Sequence, residues 1–205
     1  MTDMRDTPTR RNHERTVAGE HRRMRRADRE VTDASAIAGI VAACRIVRVA
    51  YVDAEGLTIV PMNFGYEFEN DGMLNLYLHS ASAGRKLDAI RAAGNALAVA
   101  VDMETDCEAI EGRTPCNWSE AFKSVVGNGT ASIVTDLDEA RHGLQLLMAQ
   151  QAGMKDIEFT DRQVASVTVW KIRVERLTAK IHAAPAAHHA PGAHHAPGAS
   201  TPHHT

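Results

Sequence analysis

Apolar residues recur with two different spacings between residues 33 and 177, and the spacings separate helices from strands. One set falls three or four residues apart and forms a single helical face after Asp33, which can cap the helix: Ile37, Ile40, Val41 and Cys44. Similar patterns predict helices over residues 84–93 and 137–151. Gly94 and Gly153 follow them, as expected for helix ends.

Strand-like runs occupy most of the remaining chain. They are predicted over residues 46–52, 57–68, 73–79, 96–103, 122–134 and 164–177. Asn70-Asp71-Gly72 is a strong hairpin signal, because such turns need positive backbone φ angles. Six strands in hairpins, with three helices not regularly alternating between them, predict a mainly β fold with peripheral helices: a small six-stranded antiparallel barrel.

The two ends of the chain differ from this middle. Residues 1–24 form an arginine-rich arm that is expected to be disordered, either as a contact for an acidic partner or as a solvated extension. Residues 25–181 form the predicted domain. Residues 182–205 are a predicted disordered tail with two copies of Ala-His-His-Ala-Pro-Gly, whose paired histidines could bind borderline metals incidentally or as an evolved function.

Composition and charge limit the kinds of partner and the cellular compartment that are expected. The 205 residues carry a net charge of -3, which implies no general attraction to nucleic acid. No apolar run reaches spanning length, so no membrane is expected. Cys44, Cys107 and Cys116 are too few for a disulfide framework, which favours a reducing cytoplasm. Cys107 and Cys116 lack metal-ligand spacing, and no metal site is expected in the domain.

The segment 74–87, LNLYLHSASAGRKL, is the most informative for chemistry. A strand ends in His79 and Ser80, and a small-residue loop leads to Arg85 and Lys86 at a predicted helix start. Backbone amides and the positive end of a helix dipole, with two cations beside them, suit an anion. The alternative is that Arg85 and Lys86 are ordinary first-turn residues facing water. The pattern favours a phosphate-bearing cofactor at the end of a sheet.

Four sequence blocks in order carry a family resemblance. They are MRRADRE at 24–30, VPMNFGY at 60–66, LHSA at 78–81 with GRKL at 84–87, and SVVGNGTA at 124–131. Together they resemble the pyridoxamine 5′-phosphate oxidase-like superfamily of FMN-binding split barrels, and within it the Nim (5-nitroimidazole resistance) branch. The resemblance covers residues 24–180 and implies a split-barrel homodimer with FMN in a cleft touched by both chains.

The resemblance also implies roles for individual residues. Arg85 and Lys86 match the basic pair that holds the FMN phosphate, and His79 and Ser80 match the strand end beside the flavin. His79 is the catalytic candidate, either as a proton donor or as a positioning group. The residues matching the strand that lines the isoalloxazine are Val60, Pro61, Met62 and Asn63.

For three residues, a purely structural role is the alternative to contact with the flavin. Pro61 removes a ladder donor, which fits an edge strand or bulge as well as backbone groups left free for the flavin. Asn63 could donate an amide to a flavin carbonyl or pair within the sheet. Trp170 is expected to pack in the core, although it could stack near a flavin or at a dimer interface.

The expected activity follows from the resemblance. It is FMN-dependent reduction of a small organic acceptor, with a nitroimidazole or another nitroaromatic reduced to the amine as the candidate reaction and a reduced nicotinamide or other donor supplying electrons. The alternatives are a non-catalytic flavin or haem binding protein of the same fold, and pyridoxamine 5′-phosphate oxidation. The latter ranks lower because no second phosphate-binding cluster is evident.

Overall fold

A computed structural model describes residues 24–184 of the chain. The strands are β1 (Glu30–Val31), β2 (Val47–Asp53), β3 (Gly56–Met62), β4 (Gly65–Phe68), β5 (Leu74–Ser80), β6 (Leu97–Ile110), β7 (Ser119–Ile133) and β8 (Thr168–His182). The helices are α1 (Ala34–Ala43), α2 (Arg85–Ala92), α3 (Leu137–Ala152) and α4 (Asp161–Val164). Asp33 accepts the Ala36 amide as the cap of α1, as the sequence predicts.

All the strands form one antiparallel sheet in the order β3-β2-β6-β7-β8-β5-β4, with β1 added to β8. The path is open, so the sheet is not closed by a final ladder. The two outermost strands, β3 and β4, are nevertheless consecutive in the chain. The sheet must therefore curl until its edges approach each other.

The link between the two edges is very short. Met62 ends β3 and Gly65 begins β4, so three peptide steps join opposite edges of the sheet. Three residues span at most about 11 Å. A flat sheet of this width could not satisfy that limit. The result is a strongly curled, incompletely closed barrel, which confirms the predicted antiparallel split-barrel architecture.

The concave inner face of the sheet holds the main core. Val49, Val101, Ile172 and Trp170 meet there, and α1 and α2 insert apolar faces into the same cluster. The predicted inward residues of α1 are buried, apart from the half-buried Ile37. Trp170 is 1% exposed, so its predicted place in the core is confirmed.

The helix α3 packs on the outer face instead. Ala140 and Leu144 of α3 cluster with Tyr77 of β5 and Val169 of β8. Lys171 of β8 forms an ion pair with Glu139. This helix covers only the half of the outer face made by β4, β5 and the first part of β8. The half made by β3, β2, β6 and β7 carries no helix among the described elements.

The strand count of six was wrong, since the sheet has eight strands. The run predicted as one strand over residues 57–68 is divided between β3 and β4, because Asn63 and Phe64 cross from one edge to the other. The two-residue β1 and the single-turn α4 were not predicted.

The segment 104–118 is also different from its prediction. The sequence patterns placed it outside the predicted strands 96–103 and 122–134, but β6 continues to Ile110 and pairs with β7 as far as Ile110 with Ser119, with a bulge between Thr105 and Glu108. The last strand is shifted toward the C-terminus and ends at His182. No helix within residues 24–184 is long and apolar enough to cross a bilayer.

Candidate functional site

The uncovered half of the outer face contains a groove of about 580 Å³. Its floor is made of small residues because Ala50 of β2 pairs with Ala100 of β6, and Ala98 lies two residues along the same strand. Successive residues of a strand point to opposite faces. The run ALAVAV at 96–101 therefore places Val99 and Val101 in the core and turns Ala98 and Ala100 toward the groove.

One wall of the groove is apolar. Leu57 of β3 and Val52 of β2 line it and are 79% and 63% exposed, and Ile59, the next residue on the same face of β3, is 58% exposed. Exposed apolar side chains in a contiguous patch commonly mark an interaction or ligand site. A flat aromatic ring could lie on the alanine floor against Leu57. The volume lies within the range of about 300–1,000 Å³ typical of small-molecule sites.

The opposite wall is polar. Asn128 and Thr130 of β7 line it together with Glu175 and Arg176 of β8. The register of β8 shifts between Asn128 and Gly129, so Glu175 is the extra residue of a bulge. The Thr130 hydroxyl donates to the Glu175 carboxylate at 3.2 Å. This wall offers hydrogen-bonding groups to a ligand whose ring rests on the apolar side.

The four residues predicted to line a flavin ring do not share one face of the sheet. Val60 and Met62 pack against the core, whereas Pro61 is exposed on the groove side together with Leu57 and Ile59. Pro61 lies on an edge strand, where the missing amide costs no ladder bond. Pro61 therefore occupies an edge strand, which is the structural alternative to a role in flavin binding.

Asn63 is occupied by structural contacts. Its side-chain amide donates to Gln151 Oε1 of α3 at 3.1 Å and, at 3.4 Å, to the Arg45 carbonyl. Gln151 Nε2 in turn donates to the carbonyls of Phe64 and Arg45 at 2.8 and 3.2 Å. These bonds hold the short crossing between β3 and β4. They favour pairing within the fold over a bond from Asn63 to a flavin carbonyl.

The predicted anion site lies at the end of β5. Helix α2 begins after Gly84, which provides no side-chain cap. The Leu87 and Asp88 amides bond to the Gly84 carbonyl, while those of Arg85 and Lys86 meet no acceptor within residues 24–184. Free first-turn amides and the helix dipole favour an anion here.

Two side chains add to this site. Lys86 is half-buried and forms no ion pair with any described carboxylate. The Ser80 hydroxyl is fully buried and has no hydrogen-bond partner in the described part of the chain. A buried hydroxyl without a partner is costly, so a ligand oxygen would satisfy it. Lys86 and the free amides at the start of α2 suit a phosphate, and the Ser80 hydroxyl lies four residues before Gly84 without a partner.

Arg85 is different, because carboxylates already bind its guanidinium. Its Nε and Nη2 donate to Asp53 at 2.7 and 2.8 Å, and Nη1 lies 3.6 Å from Glu55. Hydrogen bonds from Arg85 are the main cause that holds the pKa of Asp53 below its ordinary value. In this arrangement Arg85 has no fork free for a phosphate.

His79 is exposed but stands apart from the groove. It shares a face of β5 with Tyr77, whereas Ser80 faces the core side, because neighbouring residues alternate. His79 pairs with Val169 of β8, while the groove meets β8 at Glu175 and Arg176. Residues 169 to 175 of a strand span about 20 Å. His79 is not among the residues that line the groove of the single chain.

The groove floor and its apolar wall were missed by the sequence reasoning. The alternation of alanine with larger residues in ALAVAV is a signal that could have found the floor. No such signal marks Leu57 and Ile59, because both faces of β3 are apolar. Among residues 24–184, no three His, Cys, Asp or Glu side chains are placed to hold a metal ion, and the three cysteines are free thiols. The histidine repeats lie outside the described residues.

An open, curled antiparallel sheet with helices in its core and a groove on its bare outer face defines a split-barrel protein. The chain belongs to the pyridoxamine 5′-phosphate oxidase family, because residues 33–181 match the sequence model of that family. This finding confirms the family resemblance drawn from the four sequence blocks. Among curated proteins, none matches the chain.

Solved structures give the same fold. A candidate 5-nitroimidazole antibiotic resistance protein from Bacteroides thetaiotaomicron VPI-5482 is 29% identical, with a TM-score of 0.60 over 74% of this chain and 86% of that one. The FAD and heme binding protein from Mycobacterium smegmatis is 16% identical, with a TM-score of 0.62 over 75% and 73%. The flavocytochrome Anf3 from Azotobacter vinelandii is 17% identical, with a TM-score of 0.64 over 79% and 73%. The last two likenesses concern the fold alone.

Proposed function

We propose that the protein is a homodimeric FMN-dependent oxidoreductase that reduces a small organic acceptor, with nitroimidazoles as the candidate substrate class. The observation that carries the proposal is the alanine-floored groove between an apolar wall at Leu57 and a polar wall at Asn128. Its shape suits a flat ring with polar edges. The similarity to the nitroimidazole resistance protein supports the choice of substrate class.

FMN would supply the redox chemistry when bound. The chain's own contribution is binding and orientation. Ser80, Lys86 and the first-turn amides of α2 would hold the phosphate, and the groove walls would hold the ring and exclude water from one of its faces. The resemblance assigns Arg85 to the same phosphate, but the contacts of Arg85 with Asp53 argue for a different role.

Dimerisation is part of the proposal because of His79. In one chain this imidazole does not line the groove, and its β8 partner Val169 lies about 20 Å along that strand from Glu175 of the polar wall. A histidine that donates a proton to a substrate must come within hydrogen-bond reach of it. We infer that each groove would be completed by His79 of the partner subunit. The exposed side chains of Val52, Ile59 and Val126 provide apolar area on the bare face for such a contact.

Nitroimidazole reduction by FMN-loaded protein tests the function directly. Under anaerobic conditions, with reduced nicotinamide as donor, the wild-type protein should consume the nitro compound and yield the amine. His79→Ala should reduce the rate at least tenfold with little change in FMN affinity. A protein that binds FMN but neither accepts nor donates electrons would be a binding protein, and a haem spectrum would assign it to haem handling.

Mixed dimers test the shared site. His79→Ala and Ala98→Phe, which fills the groove floor, should each be nearly inactive alone. A heterodimer of the two contains one intact groove facing one intact His79, so co-expression should restore up to half of the wild-type activity per dimer. No restoration in a verified heterodimer would contradict a site shared between chains.

A further inference from the structure

The guanidinium of Arg85 joins helix α2 to the turn between β2 and β3. Two bonds link it to Asp53, the last residue of β2, and a third contact of 3.5 Å reaches the carbonyl of Gly56, the first residue of β3. Asp53 also accepts the Glu55 amide at 2.9 Å, which shapes the turn. One side chain thus ties the start of α2 to both strands of a hairpin.

The two partners differ in their exposure to solvent. The Asp53 side chain is 10% exposed, while that of Arg85 is 38% exposed. If a phosphate took the guanidinium, Asp53 would be left as a nearly buried carboxylate without its cation. Removing the cation from this shielded carboxylate is unfavourable, because its charge loses the group that compensates it. The bidentate geometry also uses the planar fork that makes arginine suited to phosphate.

The clamped hairpin forms part of the groove. Val52 and Leu57 flank the turn on either side, and both line the apolar wall where a ring would lie. Movement of the turn would therefore displace that wall. The same clamp fixes the first turn of α2, whose free amides belong to the anion site.

We propose that Arg85 and Asp53 form a positioning clamp, and that Lys86 is the only cation of the Gly84-Arg85-Lys86 segment that binds the phosphate directly. The inference rests on the proposed flavin function, since it assigns roles within that site. It departs from the role that the family resemblance gives to Arg85. The clamp sets the position of the apolar wall and of α2, and Lys86 supplies the charge.

Comparison of FMN with riboflavin separates the two roles, because riboflavin lacks the phosphate. Loss of a phosphate ligand weakens FMN alone, whereas movement of the wall weakens both ligands. Lys86→Ala should lower the preference for FMN over riboflavin at least tenfold. Arg85→Ala should raise both dissociation constants by similar factors and change the preference by less than threefold. Arg162→Ala is the control, since Arg162 is exposed on α4 and forms no ion pair among the described residues, and it should change neither.

Asp53→Asn provides the second arm. If Asp53 acts with Arg85 in the clamp, Asp53→Asn should raise the dissociation constants of FMN and riboflavin by the same factors as Arg85→Ala. The double variant should bind flavin no worse than either single variant. Non-additivity of this kind is expected for two residues acting as one unit. The proposal is overturned if Arg85→Ala removes the FMN preference as fully as Lys86→Ala does, or if Asp53→Asn leaves FMN binding unchanged or tighter.

The flavin-free protein gives an independent readout. Arg85→Ala and Asp53→Asn should each lower the unfolding midpoint in urea, and the double variant should match the singles. Failure of the wild-type protein to bind either flavin would refute the proposed function, while this coupling would still support the clamp. Additive effects on the unfolding midpoint would refute the clamp itself.

Discussion

Gly65 of β4 lies directly against the backbone of Leu147 in α3. A Cβ atom at Gly65 would approach the Leu147 nitrogen to 2.2 Å and the Leu146 carbonyl carbon to 2.4 Å. Both are backbone atoms of a helix and cannot rotate away. This contact seats α3 on the outer face and fixes the point where the chain changes edges.

Gly65→Ala is therefore expected to be severely destabilising. Overpacking a fixed contact costs about 3 kcal/mol, and more when the neighbour cannot move. Urea unfolding followed by circular dichroism should show a midpoint far below that of the wild type. Gly39→Ala in α1 is the matched control, since a Cβ there meets nothing within 4 Å. It should raise the free energy of unfolding by roughly 0.5–1 kcal/mol. Equal effects of the two changes would contradict the described packing.

The bonds between Asn63 and Gln151 predict a structural role for both residues. Asn63→Ala and Gln151→Ala should each lower the free energy of unfolding by about 1 kcal/mol or more, because carbonyls at the crossing lose donors. Their effects should be less than additive. If Asn63 instead contacts the flavin, Asn63→Ala will weaken FMN binding at least tenfold while Gln151→Ala will not. Parallel urea and FMN titrations distinguish these results.

The pH dependence of stability should contain a contribution from Glu67. Burial raises the pKa of this carboxyl, but hydrogen bonds from His142 and Tyr77, at 2.7 and 2.9 Å, outweigh it and leave the pKa below its ordinary value. A group whose pKa is lowered on folding stabilises the protein above its unfolded pKa, about 4.3, and loses that contribution as the pH falls through the folded pKa.

Glu67→Gln removes this titration. The wild type should be more stable than the variant at pH 6, and the difference should shrink as the pH is lowered from about 5 toward 3. Free energies of unfolding from urea titrations at each pH measure it. A difference that grows on acidification would show that the pKa of Glu67 is raised in the folded protein.

Filling the groove floor should block flavin without harming the fold. Ala98 faces outward between Leu97 and Val99, which are buried. Ala98→Phe should therefore raise the FMN dissociation constant at least tenfold and leave the unfolding midpoint nearly unchanged. Ala109→Phe adds the same group to an exposed site farther along β6, outside the groove. Fluorescence titration with FMN compares the two, and equal losses of affinity would place the ring elsewhere.

Much of the fold could be predicted because local patterns dominate it. Helices α1, α2 and α3 follow clear apolar faces with identifiable caps, and strands such as β2 and β5 are short apolar runs bounded by turns. The division of the run 57–68 could not be predicted, because its apolar character continues through Phe64 while the pairing changes. The continuation of β6 beyond Met103 was missed because its sequence lacks an apolar pattern. Glu104, Asp106 and Glu108 supply no apolar alternation, and pairing with β7 alone holds them in a strand.

The site was less predictable, since it depends on long-range pairing. The order of the four blocks was enough to recognise the family. That Asp53 would bind Arg85, or that Asn63 would bind Gln151, depends on how α2 and α3 pack against distant strands. These contacts connect residues far apart in sequence, and no local spacing encodes them.

The most direct test of the central claim is retention of FMN by the full-length protein. The protein should be purified without a nickel column, mixed with excess FMN and passed through gel filtration before its visible spectrum is recorded. We predict a flavin band that elutes with a dimer at one FMN per chain, and its loss in Ala98→Phe but not in Ala109→Phe. A wild-type protein that elutes without flavin would contradict the claim that the groove is a flavin site.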